Sequence, residues 1–293
     1  MPRIPVLKTY KIFINGQFPR TESGRYYELQ NKSGNTLANV CLSSRKDFKN
    51  AQVAARSAFA PWSMRLAFNR GQILYRIAEM LEGRRTQFIE EMLLQGLTRT
   101  ASENEINLCV DRLIYYAGWC DKYQQLFSTV NPVASSHFNF SVPEPTGVVS
   151  VIASEDSALL GLISVVAPII AGGNTCVVLA SKKFPLCAVT FSEVLVTSDL
   201  PAGVVNILTG DSEELHPHFS SHMDVNAIVY CKNSKKEIKT VMENCALNVK
   251  RYFQWNKNWL KEQSQSPYLI LDLQEIKTTW HPIENTSAGG AKY

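Results

Sequence analysis

Residues 169–186, IIAGGNTCVVLASKKFPL, join the end of an apolar helix to a β-branched strand, and then a polar turn to a helix that begins at a proline. The same alternation runs from Gly147 to Trp255, where GVVSVIA, TCVVLAS, VVNILTG, AIVYC and VKRYFQW are separated by helical segments. Five strands separated by four helices predict an α/β fold with a doubly wound parallel sheet and helices on both faces. The strands are continuously apolar, which is typical of a parallel sheet buried on both sides.

A hairpin and a helical layer are predicted before this sheet. Asn15-Gly16 is a two-residue hairpin signal, because both residues accept positive φ. Ser44 is expected to cap the first helix. Apolar residues then recur at helical spacing through RKDFKNAQVAARSAFAPW, RGQILYRIAEMLEGRRTQFIEEML and EINLCVDRLIYYAGWCDKYQQLF. These amphipathic helices are expected to pack their apolar faces against a sheet.

Two extended segments have no obvious place in the five-stranded core. The arm, residues 136–145 (SHFNFSVPEP), falls within a predicted domain of residues 1–256. The tail, residues 257–293, contains PYLILDL and QEIKTTWHPI and holds a candidate oligomerisation strand. A period of two places each of these sets on one strand face: Phe138, Phe140 and Val142 in the arm, and Ile276, Thr278 and Trp280 in the tail.

Composition narrows the class of protein. The chain has 293 residues, of which 45% are hydrophobic and 19% charged, as expected of a globular protein with a sizeable core. A net charge of +4, with basic and acidic residues interleaved, argues against a nucleic-acid partner. The longest apolar run, residues 158–171, is too short to span a membrane. Seven cysteines without C-x-x-C spacing predict reduced, buried thiols and a cytoplasmic protein.

Six segments, in order and at matching spacing, resemble the aldehyde dehydrogenase superfamily: FINGQF, AARSAFAPW, EPTGVV, GNTCVVL, LPAGVVNILTGD and SSHMDV. The segments RTESGR and RKDFKN and the tail are most similar to the second, C-terminal and non-catalytic domain of family 16 aldehyde dehydrogenases. The resemblance implies a Rossmann-like cofactor domain with a helical N-terminal layer and short oligomerisation strands.

The resemblance also implies a reaction. In the family, a cysteine thiolate attacks an aldehyde, a hydride passes to NAD or NADP, and a glutamate-activated water hydrolyses the thioester. The nucleophile lies in a catalytic domain beyond the fifth strand, and we expect that domain to be missing here. The oxyanion asparagine matches Asp156, whose carboxylate would repel the developing charge. We predict that Asp156 instead caps the helix that starts near Ser157.

The cofactor-binding turns of the family match residues that cannot make the same contacts. The ribose turn matches Leu179-Ala180-Ser181-Lys182, and leucine cannot hydrogen-bond a ribose hydroxyl. The glycine-bearing pyrophosphate loop matches residues 232–237, KNSKKE. The general base matches Trp255 in WNKN, and an indole has no basic lone pair. We therefore assign no catalytic, cofactor-binding or metal-binding residue, and expect neither NAD nor NADP to bind.

Three weaker candidates stay open. Weak anion binding by Lys182, Lys232, Lys235 and Lys236 competes with an ordinary solvated basic face. His216, His218 and His222 form an H-P-H-x-x-x-H cluster, but Pro217 is expected to interrupt the helix and a zinc site needs a fourth ligand. Cys231 is either an accessible thiol near Lys232 or, more simply, a small buried hydrophobic residue.

The sequence thus predicts a catalytically inactive interaction or oligomerisation module. In the superfamily the arm and the final strand pair across subunits, and unpaired strand edges need a partner. We expect a homo-oligomer, or docking onto an aldehyde dehydrogenase catalytic domain, with no nucleic-acid or membrane partner. The alternative is an NAD(P)-dependent oxidoreductase that is active only together with a catalytic partner domain.

Overall fold

The first part of the chain forms a small sheet and a layer of helices. The computed structural model describes residues 6–31 and 33–283. The small sheet has the order β1-β3-β2 and contains β1 (Thr9–Tyr10), β2 (Tyr26–Gln30) and β3 (Thr36–Cys41). The helices that follow are α1 (Arg45–Ser63), α2 (Ala67–Gly83), α3 (Arg85–Leu94), α4 (Arg99–Trp119) and α5 (Tyr123–Phe127). They lie where helical spacing predicted them.

Both local signals at the start of the chain are confirmed, with one difference in strand pairing. Asn15 and Gly16 have φ of 52° and 72°, and Ile14 pairs with Gln17 across the tight turn. The turn does not extend into a longer hairpin, because Phe13 pairs with Ile207 instead. Ser44 caps α1 in a reciprocal capping box, in which its backbone N–H donates to Asp47 Oδ2 over 2.7 Å.

The central sheet has five parallel strands in the order β10-β9-β6-β7-β8. Before it come β4 (Thr129–Asn131) and β5 (His137–Pro145). The alternating elements are β6 (Val148–Ile152), α6 (Leu160–Ala171), β7 (Thr175–Leu179), α7 (Leu186–Val196), β8 (Val205–Leu208), α8 (Ser212–Ser221), β9 (Ala227–Tyr230), α9 (Lys235–Ala246) and β10 (Arg251–Gln254). The doubly wound fold is confirmed, but α8 continues through Pro217 rather than ending there.

Burial explains why this segment is so apolar. Every residue of β6, α6 and β7 is buried. Helix α6 lies between the sheet and α4, so each side of the helix meets protein. No helix in the described part of the chain is long and apolar enough to cross a membrane.

The tail packs into the same core instead of forming a separate unit. It contains a short 3-10 helix, α10 (Tyr268–Leu271) and β11 (Gln274–Pro282). Trp259, Leu269, Ile270 and Leu273 belong to the main hydrophobic cluster. The buried Arg112 of α4 donates to the backbone oxygen of Trp259 over 3.1 Å. Packing therefore continues across the predicted boundary at residue 257; residues 284–293 of the tail lie outside the described part.

The arm and the final strand pair with each other inside one chain. Strand β11 runs antiparallel to β5 from Gln274 opposite Pro145 to Pro282 opposite His137, and β4 pairs on the other side of β5. The expectation that both segments present unpaired edges is therefore wrong for β5, which is the middle strand of the sheet β11-β5-β4. The outer edges of β11 and β4 pair with no strand among the described residues.

Candidate functional site

The sheet order reverses between β6 and β9, and this is where open α/β sheets bind their ligands, outside the carboxyl ends of the strands. Glu155 follows β6 and Lys232 follows β9, so the topology brings them to the same crevice. Ser181 and Lys183 follow β7, the neighbour of β6 on its other side. Ser181 and Lys232, which match the family's cofactor-binding turns, therefore lie at the same edge of the sheet.

The carboxylate of Glu155 occupies the centre of this crevice. Its Oε1 lies 2.9 Å from Lys232 Nζ. It also accepts hydrogen bonds from the Ser181 hydroxyl and from the backbone N–H of Lys183, the latter over 3.0 Å. Burial would raise the pKa of Glu155, but these hydrogen bonds and Lys232 outweigh it, so the pKa lies below its ordinary value. An internal anion thus bridges the ends of β6, β7 and β9.

A second carboxylate engages the next lysine along the edge. Lys182 Nζ lies 2.5 Å from Asp211 Oδ2, and this hydrogen bond is the main reason that the pKa of Asp211 is lowered. Lys235 and Lys236 are exposed in the first turn of α9, where they form no ion pair within the described residues. The four lysines considered for anion binding thus divide into two paired and two solvated side chains.

The N-terminus of α6 is capped by a residue that the sequence did not indicate. Glu105 of α4 accepts from the backbone N–H groups of Leu159 and Leu160 through Oε1, over 2.7 and 2.9 Å. Asp156 is exposed and accepts from the hydroxyl of Ser154 instead. The predicted cap at Asp156 is therefore wrong, because α6 begins at Leu160 and a carboxylate distant in sequence reaches its free amides.

At three other positions that match functional residues of the family, the side chain is buried and takes part in core packing or in internal hydrogen bonds. Trp255, at the family's base position, is 3% exposed and packs in the main core. Leu179 is buried in the second hydrophobic cluster. Glu237 is buried and accepts from the hydroxyls of Ser212 and Tyr230 over 2.7 and 2.9 Å. Sequence reasoning missed this polar cluster, since nothing in the spacing of the three residues indicates that they meet.

The predicted burial of the cysteines is confirmed, and the histidines contact separate partners. All seven cysteines are buried and unpaired, and burial raises the pKa of Cys231. His216 is buried, with Nδ1 2.8 Å from the backbone oxygen of Ser212. His222 Nδ1 accepts from the backbone N–H of Asp224 over 3.3 Å. Within the described residues, no group of three or more His, Cys, Asp or Glu side chains could hold a metal ion.

The sheet β11-β5-β4 presents an apolar face to solvent. Val130, Phe138, Phe140 and Val142 share this face, because Val130 lies directly opposite Phe140 in the antiparallel pair. Val130 and Phe138 are 69% and 45% exposed. All four side chains line a cavity of about 310 Å³. The face therefore offers an apolar depression on an otherwise open sheet.

On the opposite face of this sheet, polar side chains of β5 are buried and an apolar side chain of β11 is exposed. Asn139 and Ser141 are buried, and both accept hydrogen bonds from Asn131 Nδ2, over 2.6 and 2.9 Å. Trp280 lies opposite Asn139 and is 57% exposed. The two predicted apolar sets, one in the arm and one in the tail, therefore lie on opposite faces of the sheet.

Most of the chain is similar in sequence to known proteins. The family model described as "Aldehyde dehydrogenase family" matches residues 19–255. The mitochondrial 10-formyltetrahydrofolate dehydrogenase of Homo sapiens is 32% identical over 251 residues, which are 84% of this chain and 27% of that protein. The cytosolic 10-formyltetrahydrofolate dehydrogenase of Xenopus tropicalis is 32% identical over 249 residues, 83% of this chain and 28% of that protein.

Solved structures give the same result for the fold. The NAD+ complex of aldehyde dehydrogenase from Bacillus cereus superposes with a TM-score of 0.80 at 27% identity, covering 84% of this chain and 50% of that chain. HpcC from Thermus thermophilus superposes with a TM-score of 0.80 at 26% identity, covering 84% of this chain and 48% of that chain. The chain spans about half the length of these structures and less than a third of the two curated relatives.

Proposed function

The chain belongs to the aldehyde dehydrogenase family, and from this premise we propose that it is a non-catalytic interaction module that associates through the sheet β11-β5-β4. The observation that carries this proposal is the exposed apolar face formed by Val130, Phe138, Phe140 and Val142. An open face of this kind, bordered by free strand edges, is a typical protein interface.

The energetics favour association of this sheet. Burying a large apolar side chain contributes about 1.5–3 kcal/mol. Phe138 and Phe140, whose rings lie 5.5 Å apart, and Val130 together offset part of the entropy lost on association. Backbone pairing along the nine-residue strand β11 adds hydrogen bonds that side-chain burial alone does not supply. A second copy of the chain is the partner that we propose first, and an aldehyde dehydrogenase catalytic domain is the other.

The proposed lack of turnover rests on the strand-end crevice. Glu155 and Lys232 form an ion pair at the point where the sheet order reverses, so a cofactor pyrophosphate would have to displace a carboxylate and meet its charge. Asp156 and Trp255 stand where the family has an oxyanion donor and a base. These features support a domain that binds neither NAD nor NADP and has no catalytic residue of its own.

Partner class and compartment follow from charge and thiols. Basic and acidic side chains are interleaved along the chain, with a net charge of only +4, which supports a protein partner over nucleic acid or a membrane. Seven buried, unpaired cysteines suit a reducing compartment such as the cytosol.

A second function is favoured by the close superposition on an aldehyde dehydrogenase solved with NAD+. In this alternative the chain contributes to an NAD(P)-dependent oxidoreductase only when a catalytic partner domain is present, and its sheet serves as the scaffold. The two functions differ in whether a partner domain restores turnover.

Four measurements test the proposal: two of self-association, one of cofactor binding and one of aldehyde turnover. Light scattering across a dilution series is expected to give a mass above that of one chain, and hydrogen exchange is expected to slow in β11 and β4 as concentration rises. Calorimetric titration with NAD+ and NADP+ is expected to give no binding heat. A monomer at every concentration would contradict the interaction module, and aldehyde turnover by the purified chain would contradict the lack of catalysis.

A further inference from the structure

A small basic cavity lies between α1 and the C-terminal half of α8, on the outer side of the helices rather than at the strand ends. Its volume is about 330 Å³. It is lined by Arg45, Phe48, Lys49, His218, Ser221 and His222. Four of these six side chains are basic, and none of them is a carboxylate. The cavity plays no part in the proposed function.

The carboxylates closest to the cavity already have other partners. Glu214 forms an ion pair with Arg25 over 2.6 Å. Asp224 forms one with Arg56 over 2.8 Å and also accepts from Gln52. Arg45 and Lys49 are exposed, and within the described residues they form no ion pair. Arg45 and Lys49 therefore remain cations without an ion-pair partner in the described part of the chain.

Packing fixes the walls of the cavity. The ring of Phe48 stacks on Phe219 at 4.2 Å and meets the edge of His222 at 5.7 Å. The backbone N–H of Asp224 donates to His222 Nδ1, so the neutral ring carries its proton on Nε2, which can donate a hydrogen bond to a ligand. Lys250 donates to the backbone oxygen of His222 over 2.7 Å and holds this turn in place. The two histidines therefore lie on the α8 side of the cavity, and Arg45 and Lys49 lie on the α1 side.

We propose that this cavity binds the phosphate group of a small phosphomonoester, with Arg45 and Lys49 as cationic donors, His222 as a donor through Nε2 and His218 as a donor that is strengthened by protonation. Arginine matches the geometry of phosphate oxygens, and charge-assisted hydrogen bonds are the strong ones. A volume of about 330 Å³ is near the lower end for ligand pockets, which suits a small metabolite rather than a dinucleotide.

Proton uptake is expected to accompany binding. His218 faces Arg45 from α1 and Glu214 and His216 from its own helix. His222 faces Asp224, Lys250, Lys49 and Arg45. Burial, together with the basic neighbours, lowers the pKa of both rings below the ordinary value, so both are mainly neutral near pH 7. A bound dianion favours their protonated forms, and affinity therefore rises as the pH falls.

The test is calorimetric titration of the full chain at constant ionic strength with inorganic phosphate, phenyl phosphate and sulfate. We expect saturable binding that is weakened about tenfold by Arg45→Gln or by Lys49→Gln, the loss of one charge-assisted hydrogen bond. Lys46→Gln is the matched control, because Lys46 lies on the same helix but pairs with Glu22. Sulfate keeps its charge between pH 5.5 and 7.5, so stronger sulfate binding at the lower pH reports on the protein.

Two results of these titrations would overturn the proposal. Equal weakening by Lys46→Gln would overturn the proposal, since it would indicate diffuse attraction to surface charge. Absence of saturable binding by all three anions would also overturn it. NMR titration of the His218 and His222 rings gives an independent readout, because bound phosphate is expected to raise both pKa values. Tighter binding of phenyl phosphate than of inorganic phosphate would assign the site to an organic phosphomonoester, and the reverse order to the free ion.

Discussion

At the scale of single residues, two glutamate carboxylates accept hydrogen bonds from backbone N–H groups at places that the sequence did not indicate. Glu155 stands in the strand-end crevice and joins Lys232 to the ends of β6 and β7. Glu105 satisfies the first amides of α6 from a neighbouring helix. Both act on free backbone N–H groups, which attract a negative charge whether it comes from a ligand or from the protein. Each can be tested by a change of one atom, from carboxylate to amide.

The Glu155→Gln variant is expected to be less stable than the wild type at pH 7, with a difference that shrinks on acidification. The folded-state pKa of Glu155 is depressed, so its contribution is present above the unfolded value of about 4.3 and is lost as the pH falls through the folded value. Denaturant unfolding between pH 7 and pH 3 measures this. Glu90→Gln is the control, as Glu90 is exposed and forms no ion pair within the described residues. A difference that stays constant with pH would contradict the assignment.

The Glu105→Gln variant is expected to lower the free energy of unfolding by about 1–3 kcal/mol, because the two amides then share a weaker, neutral acceptor in a buried place. Glu103→Gln, on the exposed side of the same helix, is expected to change it little, since its ion pair with Arg99 spans 3.8 Å at the surface. Equal effects of the two changes in denaturant unfolding would rule out the capping role of Glu105.

At the scale of elements, β5 explains why a strand with three aligned apolar residues is not simply buried. Its polar residues Asn139 and Ser141 face inward, where Asn131 donates to both. Its apolar residues Phe138 and Phe140 face outward, although β4 and β11 cover both edges of the strand. The side-chain period is therefore as expected, but the apolar residues of β5 face outward and its polar residues face inward.

The double variant Phe138→Lys/Phe140→Lys is expected to reduce the assembled mass of the protein without unfolding the central sheet, because both side chains lie on the outer face of β5. Sedimentation velocity across a concentration series measures the mass, and circular dichroism checks the fold. Phe68→Lys is the matched control, since Phe68 is 65% exposed on α2 and lies in a different cavity. Loss of assembly in the control as well, or in neither variant, would argue against this interface.

At the scale of the whole molecule, the tail is part of one cooperative core. Trp259 is 3% exposed, and its backbone oxygen accepts from the buried Arg112. Tyr116 of α4 donates to the backbone oxygen of Ser266 over 3.3 Å. These contacts join the tail to α4, while β11 continues into the sheet with β5. Residues before and after position 257 are therefore expected to unfold together.

The Trp259→Ala variant is expected to lower the free energy of unfolding by about 3–5 kcal/mol, the usual loss for a large aromatic side chain removed from a core. The unfolding transition is expected to shift as a whole, with tail and sheet probes coinciding. Leu260→Ala is the control, because Leu260 is 58% exposed. Two separate transitions, with only the tail affected, would support the boundary predicted at residue 257 and contradict unfolding as one unit.

The central fold and the family could both be predicted from the amino-acid sequence. The α-to-β alternation after Gly147, the Asn15-Gly16 turn and the Ser44 cap depend on neighbours a few residues away, so local patterns were enough to predict them. The burial of the cysteines could be predicted as well, because cysteine is among the residue types most often found buried.

Contacts between residues distant in sequence could not be predicted in this way and are seen only in the folded chain. Glu105 caps α6 from 54 residues away, and Glu155 finds Ser181 across 26 residues of chain. Strand β11 pairs with β5 because the tail first crosses the main core through Trp259 and α10. Arg45 and His218 share a cavity for the same reason, since α1 and α8 pack on each other. Contacts of this kind depend on chain topology, which cannot be predicted from the spacing of residues along one element.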